Sequence, residues 1–263
     1  MLKLSVYYLC PVENPQRYFL EIAYEGTHYH GWQIQPNAIS VQQKLNEALA
    51  ILLRGEVETT GAGRTDTGVH ARQLFVHFDV DVSKHKILNS RFLLSLNALL
   101  PPDIAVSKLV EVAPDAHARF DATLRSYEYH IHFNKNPFKN NYSWQLRDKP
   151  DLALMNAAAL IIKEHTDFSC FSKSNTQVMT NNCAITRAEW LEQPDGSIVF
   201  HISADRFLRN MVRAIVGTLL MVGRKEIEPE TVRQIIESKN RSKAGTSVPA
   251  CGLYLTEVRY PYI

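Results

Sequence analysis

The 263-residue chain has only four cysteines, Cys10, Cys170, Cys183 and Cys251, and no Cys-x-x-Cys pair. That scarcity counts against a zinc ribbon or a disulfide scaffold and favours a reducing, cytoplasmic setting. No apolar run approaches the roughly 18 residues of a membrane span, so no membrane association is expected. Neither charge is in surplus, with 29 Lys and Arg against 27 Asp and Glu. A nucleic-acid site must therefore be a local patch rather than a general basic coat. Strict internal repeats are missing too. What is present, 45% hydrophobic and 21% charged residues, fits an ordinary globular chain. It is long enough for one large domain or two medium halves with a core of their own.

Residues 1–16 carry one lysine, a short apolar run and no small-x-small cleavage site, which argues against a signal peptide. Pro11, Asn14 and Pro15 then break the chain, so this stretch is expected to be an extension outside the core. Strand and helix signals alternate from there on. Residues 17–24 and 73–80 read as strands. Ser40 and Gln43 form a capping box for a helix carrying Val41, Leu45, Leu49 and Leu52, with Gly55 as its stop. Residues 87–100 and 151–164 read as helices. Tyr127, Tyr129, Ile131 and Phe133 alternate with polar residues, placing the aromatics on one face of a strand. A hairpin is expected over 186–204 with its turn at Pro194-Asp195-Gly196. A helix is expected from Phe207 to Val222, with Gly223 as its stop, and a closing strand from Leu253 to Tyr260. The pattern implies an α+β architecture of two similar-sized halves, 17–113 and 114–263, meeting near Pro114.

One stretch concentrates chemistry: Gly61-Ala62-Gly63-Arg64-Thr65-Asp66-Thr67-Gly68-Val69-His70-Ala71. Glycines at 61, 63 and 68 allow positive φ and close approach to a ligand. It is not a dinucleotide fingerprint, because Asp66 stands where glycine is needed. Nor is it a P-loop, because Val69-His70 replace the Lys-Ser/Thr pair. A solvated turn is the commoner fate of a glycine-rich loop. Here, however, Arg64, Thr65 and Asp66 are packed between glycines instead of being diluted by Ser, Asn or Pro. A carboxylate beside an arginine stays ionised and can act as nucleophile or base, while arginine forks and backbone N–H groups suit phosphates. The loop therefore suggests carboxylate chemistry on a phosphate-bearing substrate.

The segment GAGRTDTGVHA resembles the catalytic-loop signature of the tRNA pseudouridine synthase A family. Four further blocks agree in order and spacing. Gly26 to Gln35 resembles the family's Gly-Trp-Gln-x-Gln block, and Arg125-Ser-Tyr-Glu-Tyr129 its Arg/Lys-x-Tyr-x-Tyr strand. Phe207 to Arg213 resembles its Phe-(Leu/Val)-x-x-Met-Val-Arg helix, and Ala250 to Leu255 its closing Gly-Leu-Tyr-Leu strand. The likeness runs from about Arg17 to Tyr260. It implies two α/β halves whose mainly antiparallel sheets join into one pseudouridine-synthase-type sheet, with a catalytic cleft between them.

The reaction so implied isomerises uridine to pseudouridine at positions 38, 39 and 40 of the tRNA anticodon stem-loop. It needs no redox cofactor, nucleotide or metal. Asp66 would be the essential carboxylate, trapping positive charge at the sugar as in retaining glycosidases or removing the C2′ proton; both routes stay open. Arg213 would be its ion-pair partner, although helical spacing alone reads it as a surface arginine off the Phe207, Met211, Ile215, Leu219 stripe. Tyr127 would stack on the flipped uracil and help move a proton at C5, and Leu253 would clamp the base from the other side. Both positions otherwise read as core. Arg64, Arg72, Lys84, Lys86 and Arg91 in the first half, and Arg206, Arg209, Lys239, Arg241 and Lys243 in the second, form the basic group expected to track phosphates. Of these, Arg64, Arg72, Arg206 and Arg209 are the candidate substrate contacts. Trp32 is expected to pack under the Asp66 loop. The likeness also implies a homodimer.

Two other readings use the same residues. His28/His30 and His130/His132 are i, i+2 pairs, which on strands would share a face and could join Asp66 in a metal-dependent hydrolase. Neither HExxH nor matched Cys/His spacing accompanies them. The second is a non-catalytic tRNA-binding module, against which three glycines presenting Arg-Thr-Asp argue.

Overall fold

The computed structural model describes residues 15–81, 87, 90–172 and 180–263, so Lys84, Lys86 and most of the expected extension lie outside the described residues. The strands are β1 (Pro15–Tyr24), β2 (Thr60–Gly61), β3 (His70–Asp81), β4 (Ile104–Glu111), β5 (Leu124–His132), β6 (Trp144–Gln145), β7 (Ile185–Glu192), β8 (Ile198–Ala204) and β9 (Leu253–Arg259). The helices are α1 (Val41–Leu53), α2 (Ser90–Leu99), α3 (Leu152–Lys163), α4 (Met211–Gly223) and α5 (Thr231–Glu237). Among the described residues no helix is long and apolar enough to cross a membrane.

All nine strands form one mixed sheet, ordered β4-β1-β3-β9-β5-β8-β7, with β2 on β3 and β6 on β5. Most pairings are antiparallel. The exceptions are β5 with β6 and the short β3–β9 seam, where His70 meets Tyr254 and Ala71 meets Leu255. Thus β9, late in the chain, lies between β3 and β5 and completes the sheet. Two hydrophobic clusters flank that seam. One gathers β1, β3, α1 and α2 with Ala116, Ala118, Leu255, Val258 and Tyr260. The other gathers β5, β7, β8 and α3 to α5 with Val69 and Leu253.

Local signals explain most elements. The Ser40 hydroxyl accepts the Gln43 N–H and starts α1 as the capping box predicts. The left-handed residue that ends it is Arg54 (φ 51°) rather than Gly55. On β5 the period-two pattern sends Tyr129 and Ile131 into the core, with Tyr127 partly buried on the same face. The predicted hairpin is β7–β8, with Gly196 at φ +77° in its turn. The helix expected from Phe207 begins four residues late, at Met211. Asn210 adopts the left-handed conformation (φ 66°), which asparagine tolerates and a helix interior does not. Phe207 therefore sits in the loop before α4 and is not part of its stripe.

Candidate active site

The loop between β2 and β3 carries Asp66 and is pinned from below. Gly31 has φ +85°, and a side chain there would lie 2.3 Å from the Thr65 carbonyl oxygen, so only glycine lets this backbone approach so closely. The Trp32 indole is buried against Gly61, and the Trp32 backbone N–H donates to the Thr65 carbonyl. Trp32 thus packs beneath the loop as expected. Tyr24 shares a 2.8 Å hydroxyl hydrogen bond with Thr65, and Gly68 donates to the Tyr29 carbonyl. Of the loop's own glycines only Gly68 uses positive φ (+76°); Gly61 is required for the contact with Trp32, and Gly63 faces open space.

Held in this way, the Asp66 carboxylate keeps 23% of its surface and faces two guanidinium groups. Arg213 Nη1 lies 3.6 Å from Oδ2 and Arg209 Nε 3.5 Å from Oδ1. Arg213 is fixed by its other edge, because Nε donates to the Val248 carbonyl at 2.7 Å. Arg64, the arginine of the loop itself, is exposed. Asp66 borders a cavity of about 670 Å³ whose lining includes Tyr127, Phe207 and Leu253. Leu253 is buried in its wall, and the Tyr127 and Phe207 rings meet edge to face at 5.2 Å. Six arginines and two aspartates line the cavity, so an anionic ligand suits it. The second aspartate, Asp205, is occupied in accepting the backbone N–H groups of Ala184 and Arg206, which leaves Asp66 as the carboxylate directed at cations.

A family model described as tRNA pseudouridine synthase matches residues 21–121 and 164–261. A tRNA pseudouridine synthase A from Bacteroides fragilis is 52% identical over 246 residues, covering 94% of this chain and 97% of that protein. One from Bacteroides thetaiotaomicron is 52% identical over 249 residues, covering 94% and 91%, and one from Treponema denticola 38% identical over 256 residues, covering 95% and 94%. The chain belongs to the tRNA pseudouridine synthase family.

For a tRNA pseudouridine synthase the sequence reading is only partly matched in space. Arg64, Asp66, Tyr127, Arg206, Arg209, Arg213 and Leu253 converge on the one cavity. Arg72 does not, since it pairs with Glu128 at 3.0 Å and covers the Tyr254 ring, on the sheet face away from Tyr127. Arg91 is exposed on α2. Lys239 pairs with Asp167, and Arg241 donates to the Ala244 and Gly245 carbonyls, so both serve the fold. His28 and His30 fall in a turn, not on a strand, and His130 hydrogen-bonds Glu128. Among the described residues no three His, Cys, Asp or Glu groups are placed to hold a metal. Sequence reasoning missed Arg119, Phe120 and Arg125 in the lining. Arg125 appeared only as a motif letter, yet its guanidinium donates to the carbonyls of Ala62, Arg119 and Asp205, tying three segments of the wall together.

Proposed function

We propose that this chain isomerises uridine to pseudouridine at positions 38, 39 and 40 of the tRNA anticodon stem-loop, with the cavity as the cleft between halves 17–113 and 114–263. One observation carries the reading: the Asp66 carboxylate, held by Arg209 and Arg213 at the edge of a cavity shared with Tyr127 and Leu253. Family membership supports it. The flipped uracil enters between Tyr127 and Leu253. As the C1′–N1 bond breaks, Asp66 meets the charge developing at C1′ or takes the C2′ proton; the base turns and rejoins through C5. The proton lost from C5 is balanced by one gained at N1, so no oxidant, nucleotide or metal is consumed. The basic rim receives the flanking phosphates. As the likeness implies, the enzyme works as a cytoplasmic homodimer on tRNA.

The direct test incubates the purified protein with unmodified tRNA transcript in buffer containing chelator and no nucleotide. Pseudouridine should appear at positions 38 to 40. A protein that binds the transcript and leaves every uridine unchanged is a binding module, and the reading fails.

Tyr127 gives a finer prediction. Burial pushes its phenol up to about 12, with Arg125 opposing it and the Asp66 charge adding a still smaller upward push, so at neutral pH the hydroxyl carries its proton. Phenylalanine keeps the stacking ring and removes the hydroxyl alone. Tyr127→Phe should retain tRNA affinity within threefold and lose about 10²-fold in single-turnover rate, the scale of a general acid–base group. A rate within threefold of the parent would leave Tyr127 only a stacking role.

A further inference from the structure

Among the described residues, Phe120 is the one large, exposed hydrophobic side chain that lines the cavity, with 73% of its surface open. Exposed aromatics elsewhere, such as Phe138 and Tyr142, lie outside that lining. An exposed phenylalanine on a pliable loop folds back onto the protein, because leaving its surface in water is unfavourable. Here the turn prevents that.

The backbone N–H groups of Arg119 and Phe120 both donate to His117 Nδ1, at 3.1 and 3.3 Å. Asp121 accepts the His117 N–H at 2.7 Å and the Tyr262 hydroxyl at 2.8 Å. On one side Arg125 donates to the Arg119 and Ala122 carbonyls. On the other the Ala118 N–H donates to the buried His77 ring, which desolvation pushes down to about 4, so that it stays neutral and accepting at pH 7. The His117 ring supports the Phe120 ring at 4.2 Å, and the exposed Arg119 guanidinium hovers 5.6 Å from its centre. A flat apolar ring is thus presented rigidly at the cavity rim beside planar cations. That combination suits an unpaired nucleobase, whose face stacks on an aromatic while arginine meets its phosphate.

We propose that Phe120 is a stacking platform for the nucleotide next to the target uridine, and that it helps to hold the strand open while the target base is in the cavity. The inference rests on the tRNA reading above. The interior already offers Tyr127 and Leu253 for the flipped base. A ring standing three-quarters exposed at the rim meets a base that remains outside. Because any base has a stackable face, the contact selects for an unstacked neighbour and not for a letter, which suits one enzyme acting at three adjacent positions.

The test compares the parent, Phe120→Ala and Phe120→Trp on full-length tRNA transcript and on transcripts with the base removed from either nucleotide flanking the target. Phe120→Ala should lower kcat/KM about tenfold with an unchanged thermal midpoint, and Phe120→Trp should stay within threefold of the parent. Removing the base that stacks should cost the parent the same factor and cost Phe120→Ala nothing further. The inference falls if Phe120→Ala stays within twofold on intact tRNA, or if the two losses multiply at both flanks. A parent that makes no pseudouridine overturns the functional reading and this inference together; with an active parent, the variants judge the inference alone.

Discussion

Asp66→Asn should abolish pseudouridine formation, by about 10⁴-fold or more, while tRNA binding stays within about tenfold of the parent. The size follows from the chemistry, since an amide neither attacks C1′ nor accepts a proton from C2′, so both routes to the product close together. Retained binding follows from the surroundings. Asp66 is an acidic group facing Arg209 and Arg213 in an arginine-rich cavity, and neutralising it leaves the site more attractive to phosphates, not less. The variant should fold, because the loop is held by Trp32, Tyr24 and Gly31 through its backbone and Thr65, not through the carboxylate. Single-turnover assays and filter binding on one tRNA transcript separate the two quantities. Activity within a few-fold of the parent in the asparagine variant would remove Asp66 from the chemistry.

The second large effect is expected at Arg213. Its guanidinium spans two partners, with Nε on the Val248 carbonyl and Nη1 facing Asp66, and the side chain is only 20% exposed. A lysine ammonium is a point charge and cannot span both, so the carboxylate loses its fixed cation. Arg213→Lys should lower the single-turnover rate at saturating tRNA by roughly 10²-fold, the scale of losing a preorganised electrostatic contact, with only a mild loss of affinity. Arg209 is the internal control. It lies as near to Asp66 but is 59% exposed, where water screens the pair. Arg209→Lys should therefore act mainly on affinity and its salt dependence, with the saturating rate within about fivefold. An Arg213→Lys rate within threefold of the parent would reduce Arg213 to a phosphate contact.

These expectations separate what was readable in the chain from what was not. The Asp66 loop was readable because everything that makes it unusual is contiguous, namely charged residues set between glycines. Its true cationic partners were not, because neither Arg209 nor Arg213 is near it in sequence, and periodicity marked Arg213 only as off the apolar stripe. Resemblance alone points to Arg213, and it implies a phosphate contact for Arg209. The hydrophobic pattern places the helix start too early because Phe207 continues the spacing of Met211, Ile215 and Leu219, while the left-handed turn at Asn210 leaves no mark in it. Charge and nearness in sequence group Arg72 with the site, but strand parity puts it with Glu128 on the far face. Most of the fold was readable because α1, β5 and the β7–β8 hairpin each carry their own cap, period or turn. The join of the sheet at β9 was not, since pairing His70 with Tyr254 depends on the whole chain.

That join also bears on how the molecule is made. A ribosome delivers the Asp66 loop and the Tyr127 strand long before residues 253–259, at about 5–20 residues per second. Until then the facing edges of β3 and β5 have no strand between them, and Leu253 is missing from the cavity wall. The nascent chain therefore spends several seconds with open sheet edges, the form most exposed to wrong pairing and to chaperone capture. The Asp66 carboxylate, by contrast, waits in an unfinished pocket. The cavity wall is therefore completed late, when the last of the described strands takes its place in the middle of the sheet.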